Sequence, residues 1–366
     1  MIDFSKPKDQ ITIVVAMSGG VDSSTVAAIL CSEGYKVIGV TLQLYDYGLA
    51  VGKKGACCAG QDIYDARTVA NKLNIPHYVL DYESKFKENV ITKFADSYLR
   101  GETPIPCVEC NQSVKFKDLL QVAKNLGADA LATGHYVRKI DGKNGPELHT
   151  GIDPQKDQSH FLFATTLAQL DYLYFPLGNL TKQETRDIAA KYQLITADKP
   201  DSQDICFVPN GDYRKVILNT NPEAAHRGKI IHVDGFEIGE HKGIINFTIG
   251  QRKGLGIAYK EPLYVVKIDP LAQIVYVGPE SNLMKIEFTI KDVNWLESFP
   301  PLEEVEVAIK IRSARPRALA RVSKMSEHTA KVTLLAPEKA ITPGQACVLY
   351  CEDKVLGGGW ITNEIF

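Results

Sequence analysis

Apolar positions in the first half of the chain gather into short β-rich runs. Residues 11–17 (ITIVVAM) form the first, Val37-Ile38-Gly39-Val40-Thr41-Leu42 the second, Pro76-His77-Tyr78-Val79-Leu80 the third and Ala130-Leu131-Ala132-Thr133-Gly134 the fourth. Runs of this length and composition predict strands buried on both faces. Between them lie stretches of helix-forming composition: SSTVAAILCSEG, ending at Gly34, then one around Asp62–Leu73 and one around Lys115–Leu126. This alternation predicts parallel βαβ units in an α/β, doubly wound sheet, with ligands beyond the C-terminal ends of the strands. The pattern changes after about residue 210. From Gly228 onward, runs such as YVVKI, QIVYVG, FTIKDV, VEVAIKI, AKVTLLA and ACVLY alternate with Gly, Pro and Asn/Asp turn signals, predicting one or two β-rich domains.

Composition agrees with this division. The 366 residues are 45% hydrophobic and 23% charged, with 28 Gly, 18 Pro and 8 Cys, which excludes disordered, collagen-like and disulfide-scaffold chains. At roughly 100–200 residues per domain the length predicts two or three domains rather than one small binding module. The N-terminal MIDFSKPKDQ has no apolar core of a signal peptide, and runs such as Ile11 to Met17 fall well short of a membrane span of about 20 residues. A cytoplasmic protein with no membrane partner is expected, and its cysteines then serve as thiols for chemistry or metal rather than as disulfides. The 42 basic and 44 acidic residues give a net charge of −2. That excludes a protein coated in basic surface but not a local nucleic-acid groove.

Chemistry first appears at Ser18-Gly19-Gly20-Val21-Asp22-Ser23, where a predicted strand turns into a predicted helix. Glycines let backbone approach a ligand closely, and a helix N-terminus offers unpaired N–H groups to an anion. No Lys follows the glycines and the spacing is not GxGxxG, so neither common nucleotide loop is present. The alternative is a plain tight turn capped by Ser23 or Ser24. Cys107-Val108-Glu109-Cys110 is a CxxC before a stretch with Lys115 and Lys117, a setting that favours thiolate. By itself it is a redox pair, half of a zinc site or part of an iron–sulfur site. Cys31, Cys347 and Cys351 lie in apolar segments and read as structural.

The glycine loop resembles the SGGxDS motif of the PP-loop ATP pyrophosphatase superfamily. Within it, the chain is similar to the tRNA-specific 2-thiouridylases of bacterial and mitochondrial type. The resemblance runs through Ala16–Ser24, Cys57-Cys58, Asp62–Arg67, Cys110–Phe116, Ala132–Tyr136, Lys156–Ser159, Asp201–Phe207, Phe247–Gly256 and Thr342–Gln345. It implies a PP-loop ATP-binding and catalytic domain over 1–209, a small central β-rich domain over 210–283 and a C-terminal β-barrel over 284–366 that contacts tRNA. ATP and Mg²⁺ are the implied cofactors. Ala16, Met17, Ser18, Gly19, Gly20, Val21, Asp22, Ser23, Leu42 and Gly134 are the implied nucleotide-binding residues, with Asp22 orienting Mg²⁺ or a loop contact.

The resemblance also assigns the working thiols. Cys110 matches the family's nucleophile and Cys206 the cysteine that carries persulfide sulfur. Uridine O2 attacks the α-phosphate of ATP, and sulfur from Cys206 then replaces AMP at the activated carbon. Cys110 attacks the persulfide, either to free hydrosulfide or to leave a Cys110–Cys206 disulfide, which a reductant must reset. Where many relatives carry an Asp three residues before the nucleophile, this chain has Cys107, a poorer base than a carboxylate. Cys107→Ala is expected to leave substantial activity. The three thiols also admit an iron–sulfur-dependent thiolase, and the loop alone admits an amide-forming ligase of the same superfamily. An ATP-binding RNA-binding protein without catalysis is the rival from another class.

Lys310 to Lys324 contains six basic residues and no acidic one. Alone it reads equally as a solvated face. With the resemblance, Arg312 and Ser313 fall where relatives touch the anticodon loop, Gln345 at a further tRNA contact, and Lys156, Asp157 and Gln158 in another. Gln251, Arg252 and Lys253 are candidate phosphate contacts, and His135 faces nucleotide or RNA. The implied partners are tRNAs for Lys, Glu and Gln and a persulfide donor protein.

Overall fold

In the computed structural model residues 6–45, 58–201, 204–208, 211–297 and 304–362 are described, with backbone alone at 58 and 59. Cys57, Ser202 and Gln203 of the matched motifs lie outside the described residues, as does the expected domain boundary at 209/210. The chain forms two units. One comprises Met1–Asn89, Cys107–Pro209 and Asp353–Val355, the other Val90–Pro106, Asn210–Glu352 and Leu356–Phe366.

The first unit is built on the parallel sheet that the buried runs predict. Its strands are β1 (Thr12–Ala16), β2 (Lys36–Gln43), β3 (His77–Asp81) and β4 (Ala130–Ala132); a hairpin of β5 (Val137–Gly142) and β6 (Gly145–Thr150) follows, then β7 (Leu173–Tyr174). The sheet order is β3-β2-β1-β4-β7, with Ile13 aligned to Val37 on one side and Ala130 on the other. Ile13, Val14 and Val15 are fully buried, which is why β1 reads as an unbroken apolar run rather than an alternating one. Helix α1 (Val21–Ser32) sends Val26, Ala27 and Leu30 into the same core. Each large apolar side chain buried there contributes roughly 1.5–3 kcal/mol. Helix α2 (Cys58–Lys72) precedes β3, and α3 (Lys182–Lys191) follows β7.

Two local expectations change. The fourth strand stops at Ala132, so Gly134 lies beyond it, and the helix expected around Lys115–Leu126 begins at Cys110, wound as a π-helix through Leu119 before Leu120–Asn125. Its first turn is held by Ser113 Oγ donating to Glu109 O at 2.6 Å and by Lys115 Nζ donating to Asn111 Oδ1 at 3.1 Å.

The second unit is β-rich, as expected. Strands β8 (Gly228–His232), β9 (Glu237–His241), β10 (Tyr264–Asp269) and β11 (Ile274–Gly278) form a four-stranded sheet in the order β10-β11-β8-β9. Ile230, Val265, Val275 and Val277 make its core. Strands β12 (Met284–Trp295), β13 (Val305–Lys310), β14 (Ala318–Lys324), β15 (Thr329–Lys339), β16 (Ala346–Cys351) and β17 (Lys354–Thr362) run in the order β12-β15-β14-β13-β16-β17. Pairing of β12 with β17, Ile290 opposite Ile361, closes them into a six-stranded barrel. Closure leaves no edge exposed.

Candidate active site

The expected nucleotide-binding residues converge at the C-terminal edge of three adjacent parallel strands. Ala16 ends β1, Leu42 lies near the end of β2 and Gly134 follows β4. Met17, buried, donates its N–H to Val40 O at 2.8 Å and accepts from Thr41 Oγ1 through its carbonyl at 2.7 Å. Gly19 has φ +75°, and a β-carbon there would stand 2.1 Å from the carbonyl oxygen of Asp62. Both facts require glycine. A β-carbon on Gly134 would meet Asp22 Cβ and Ser23 N at 3.0 Å, so this glycine lets β4 close against the start of α1.

Gly20 caps α1, and no side chain caps the helix. Ser18 N donates instead to Ser23 Oγ at 3.1 Å, which ties the loop across its own mouth. Ser24 N is bonded to Gly20 O at 3.2 Å, and the N–H groups of the preceding turn have no partner within the helix. Together with the helix dipole they present donors that could hold an anion such as a phosphate.

Two lysines that no motif marks complete the electrostatics. Lys182, 12% exposed, sets Nζ 2.6 Å from Asp22 Oδ1 and 2.8 Å from Asp201 Oδ1. Tyr136 Oη lies 2.8 Å from the same Asp22 oxygen and 3.0 Å from Thr185 Oγ1. Asp201 also receives Lys156 at 2.7 Å and Arg186 at 3.0 Å. Burial pushes its carboxyl up, but the hydrogen bonds and charges of Lys156 and Lys182 outweigh that and hold it at about 2. Lys199 donates to Gly19 O at 2.9 Å, to Asp62 at 2.7 Å and to Asp65. A sequence signal for Lys182 did exist. Thr181 and Glu184 form a capping box that starts α3, and a lysine at its first position opposes the helix dipole unless carboxylates stand nearby.

The cysteines assemble in the same unit. Cys110 is buried, while Cys107 and Cys206 are exposed. The protein packed around the sulfurs raises all three thiols, Cys206 to about 12, although Cys107 and Cys206 keep solvent-exposed surface, and Lys115 pulls each the other way. The charges of Cys107 and Cys110 both bear on Cys206, so thiols far apart in sequence act on one another. Val208 N bonds Ile205 O at 2.9 Å, and Phe207 packs edge-on to Phe86 at 5.7 Å, which fixes the turn carrying Cys206. His135 belongs to this surrounding. Burial and Lys115 keep its imidazole well below the ordinary value, hence neutral at pH 7, and Thr133 Oγ1 pairs with Nδ1 at 2.8 Å. Among the described residues no three His, Cys, Asp or Glu side chains are grouped to hold a metal ion.

Several expected RNA contacts have structural partners. Asp157 accepts from Ser159 N at 3.1 Å and Ser159 Oγ at 2.9 Å, and Gln158 Oε1 accepts from Tyr136 N at 2.9 Å. In the second unit, Gln251 bonds within its own loop to Thr248 N and Lys253 O, while exposed Arg252 lines a recess of about 470 Å³ with Tyr259. Gln345 Nε2 donates to Thr103 O at 2.7 Å. Arg312 donates to Ala340 O at 3.0 Å and Thr342 Oγ1 at 3.2 Å, next to exposed Ser313. The basic run is also less isolated than its sequence implies: Glu338 stands 3.2 Å from Arg315, and Glu306 3.8 Å from Arg321.

Comparison with known proteins accords with this architecture. Residues 11–210 match the family model of the tRNA methyl transferase HUP domain, 215–279 that of the tRNA methyl transferase PRC-barrel domain and 285–361 that of the aminomethyltransferase beta-barrel domain. The first match sets residues 11–210 in the PP-loop class. The tRNA-specific 2-thiouridylase MnmA of Rickettsia conorii (strain ATCC VR-613 / Malish 7) is 68% identical over 357 residues, covering 97% of this chain and 96% of that one. That of Rickettsia rickettsii (strain Sheila Smith) is 69% identical, with 97% and 98% covered. The chain belongs to the tRNA-specific 2-thiouridylase family. Among solved structures, a 4-thiouridine synthetase in complex with RNA and bound ATP is similar over 58% of this chain and 50% of that one, at 16% identity and a TM-score of 0.37.

Proposed function

We propose that the protein is an ATP-dependent tRNA-uridine 2-sulfurtransferase acting on the wobble uridine. The observation that carries this reading is the thiol group itself. Within the unit that holds the glycine loop, the charge of Cys110 raises the Cys206 thiol and that of Lys115 lowers it. An amide-forming ligase has no use for a sulfur-carrying pair.

In this reading the loop from Ser18 to Ser23 and the start of α1 hold the triphosphate, with Ala16, Met17, Leu42 and Gly134 around the nucleoside. Lys182 and Lys199 stand at the loop to offset phosphate charge. Mg²⁺ commonly takes one or two carboxylates plus phosphate oxygens; Asp22, in the loop, would hold it, and the ion would neutralise phosphate charge there. Uridine O2 attacks the α-phosphate and pyrophosphate leaves, making the ring carbon a good electrophile. Cys110 then attacks the Cys206 persulfide at Cys206 Sγ, the terminal sulfur departs as hydrosulfide, and a Cys110–Cys206 bond forms. Hydrosulfide displaces AMP from the carbon to give 2-thiouridine. Neutral His135 serves as a hydrogen-bonding partner for base or ribose.

Arg312, Ser313 and Gln345 of the barrel, with Lys156, Asp157 and Gln158 near the loop, are proposed to meet the anticodon region of tRNAs for Lys, Glu and Gln. A persulfide donor protein loads Cys206, and the reaction belongs to the cytoplasm, where tRNA is found.

The test is incubation of the full chain with ATP, a persulfide source and unmodified tRNA, followed by mass spectrometry of digested nucleosides. The expected product is 2-thiouridine with pyrophosphate released. Bound tRNA with neither product would indicate an RNA-binding protein without catalysis. Pyrophosphate without 2-thiouridine, with Cys206 loaded, would indicate a different adenylating enzyme.

A further inference from the structure

The chemistry above leaves Cys107 without a task. It lies in the short turn Pro106–Glu109, directly before the helix that begins at Cys110. Side chains three residues apart on a helical turn share a face, with Cβ atoms about 5–6 Å apart. That is near enough for modest local adjustment to bring two sulfurs into bonding range. Cys107 is exposed where Cys110 is buried, and it bears electrostatically on both Cys110 and Cys206.

We propose that Cys107 is a resolving thiol. Once sulfur delivery has left a Cys110–Cys206 disulfide, Cys107 attacks the Cys110 sulfur, the Cys107–Cys110 bond forms as the Cys110–Cys206 bond breaks, and Cys206 leaves as a thiol. The proton lost from Cys107 balances the one gained by Cys206. The two-electron oxidation stays in the protein, moved into the CxxC. An external dithiol then attacks exposed Cys107, restores two thiols and departs as its own disulfide. Direct attack by that dithiol on Cys206 would instead occupy the sulfur carrier as a mixed disulfide until the dithiol's second thiol releases it. Lys115 favours whichever thiolate is present at each stage. This rests on the sulfur-transfer reading above and adds to it how the carrier is cleared for reloading.

The experiment loads the full chain with inorganic polysulfide, adds ATP and unmodified tRNA without reductant, quenches with N-ethylmaleimide and maps disulfides by mass spectrometry of unreduced peptides. Expected in the wild type is a Cys107–Cys110 disulfide with Cys206 alkylated. Expected in Cys107→Ser is a Cys110–Cys206 disulfide. Under limiting dithiothreitol with repeated loading, that variant stops near one 2-thiouridine per chain while the wild type makes at least about tenfold more. A wild-type Cys110–Cys206 disulfide with Cys107 alkylated, or 2-thiouridine with no disulfide, overturns the proposal. The wild-type map decides the matter even if the variant fails to fold. Absence of 2-thiouridine in the wild type refutes the sulfur-transfer reading instead.

Discussion

Lys182 sets its ammonium 2.6 Å from Asp22, the acidic residue of the glycine loop. The same ammonium lies 2.8 Å from Asp201, which precedes Cys206 by a few residues. One cation therefore joins the loop proposed for triphosphate to the segment that carries the proposed sulfur donor. Two carboxylates offset its unfavourable place at the start of α3, and it is nearly out of solvent. Arrival of a triphosphate at the loop would compete with both carboxylates for Lys182.

Lys182→Met keeps most of the stem and removes the charge. Asp22 and Asp201 then stand without that counter-ion, at a cost on the order of 3 kcal/mol in stability. The KM for ATP in pyrophosphate release should rise about tenfold or more, since a cation at a phosphate site contributes upward of about 1.4 kcal/mol. Persulfide loading of Cys206, measured by mass, should persist. An unchanged KM would remove Lys182 from the phosphate site.

Asp201 makes a prediction in pH. Its folded carboxyl sits at about 2, below an unfolded value near 3.9, because the hydrogen bonds and charges of Lys156 and Lys182 outweigh burial. Stability from a depressed acid is fully present above the unfolded value and is lost as pH falls through the folded one. The shift corresponds to roughly 2–3 kcal/mol. Urea unfolding should therefore place Asp201→Asn about 2–3 kcal/mol below the wild type from pH 8 to pH 5, with the gap narrowing below about pH 4. A gap that stays constant down to pH 3 would mean that the carboxylate charge is not what stabilises this network.

The parallel sheet and the position of the glycine loop are legible in the sequence. Strands β1 to β4 are buried in a parallel sheet, so their β-branched runs stood out, and a glycine loop between strand and helix leaves a local signature. Lys182 is signalled in sequence only by the capping box that sets it at the start of α3, and Lys199 by no motif, because both take their meaning from carboxylates that are distant in the chain. The hairpin β5–β6 was missed although Asp141-Gly142 and Asn144-Gly145 are turn signals. Asp157, Gln158 and Gln251, which look like ligand contacts in sequence, also accept hydrogen bonds from nearby backbone N–H groups, a structural task that the motif does not announce. The Lys310–Lys324 run appeared free of acids only because Glu306 and Glu338 lie on neighbouring strands.

Gly19 and Gly34 both have positive φ, +75° and +91°, but differ in surroundings. An alanine at Gly34 would meet nothing within 4 Å, whereas one at Gly19 would drive into the Asp62 carbonyl. Gly34→Ala should cost only the left-handed strain, about 1–2 kcal/mol of stability, with pyrophosphate release intact. Gly19→Ala should displace the loop and lower pyrophosphate release at least about a hundredfold, because groups aimed at developing charge act only when correctly placed. Equal activity of the two variants would show that the loop does not hold the triphosphate.

The basic run offers the sharpest test of where RNA lies, since its members differ in what they already do. Arg312 holds Ala340 O and Thr342 Oγ1, and Arg317 stacks on Tyr350 with its guanidinium carbon 3.8 Å from the ring centroid. Replacing either would perturb the barrel as well as any RNA contact. Arg321 is exposed on β14, 3.8 Å from Glu306, and Lys324 lies at the end of the same strand. Exposed ion pairs at such distances contribute little to stability. Lys324 Nζ also lies 5.9 Å from the Trp295 ring centroid, so the double replacement Arg321→Ala and Lys324→Ala should cost no more than about 0.5–1 kcal/mol of stability and weaken tRNA binding. If both side chains meet phosphates, each releases a counter-ion, and the slope of log affinity against log salt should become shallower by about 1.5–2 between about 50 and 200 mM salt. The yield of 2-thiouridine at saturating tRNA should hold. A slope that does not move would exclude β14 from the RNA-binding face and leave the connection from Ile311 to Arg317 as the part of the run that meets tRNA.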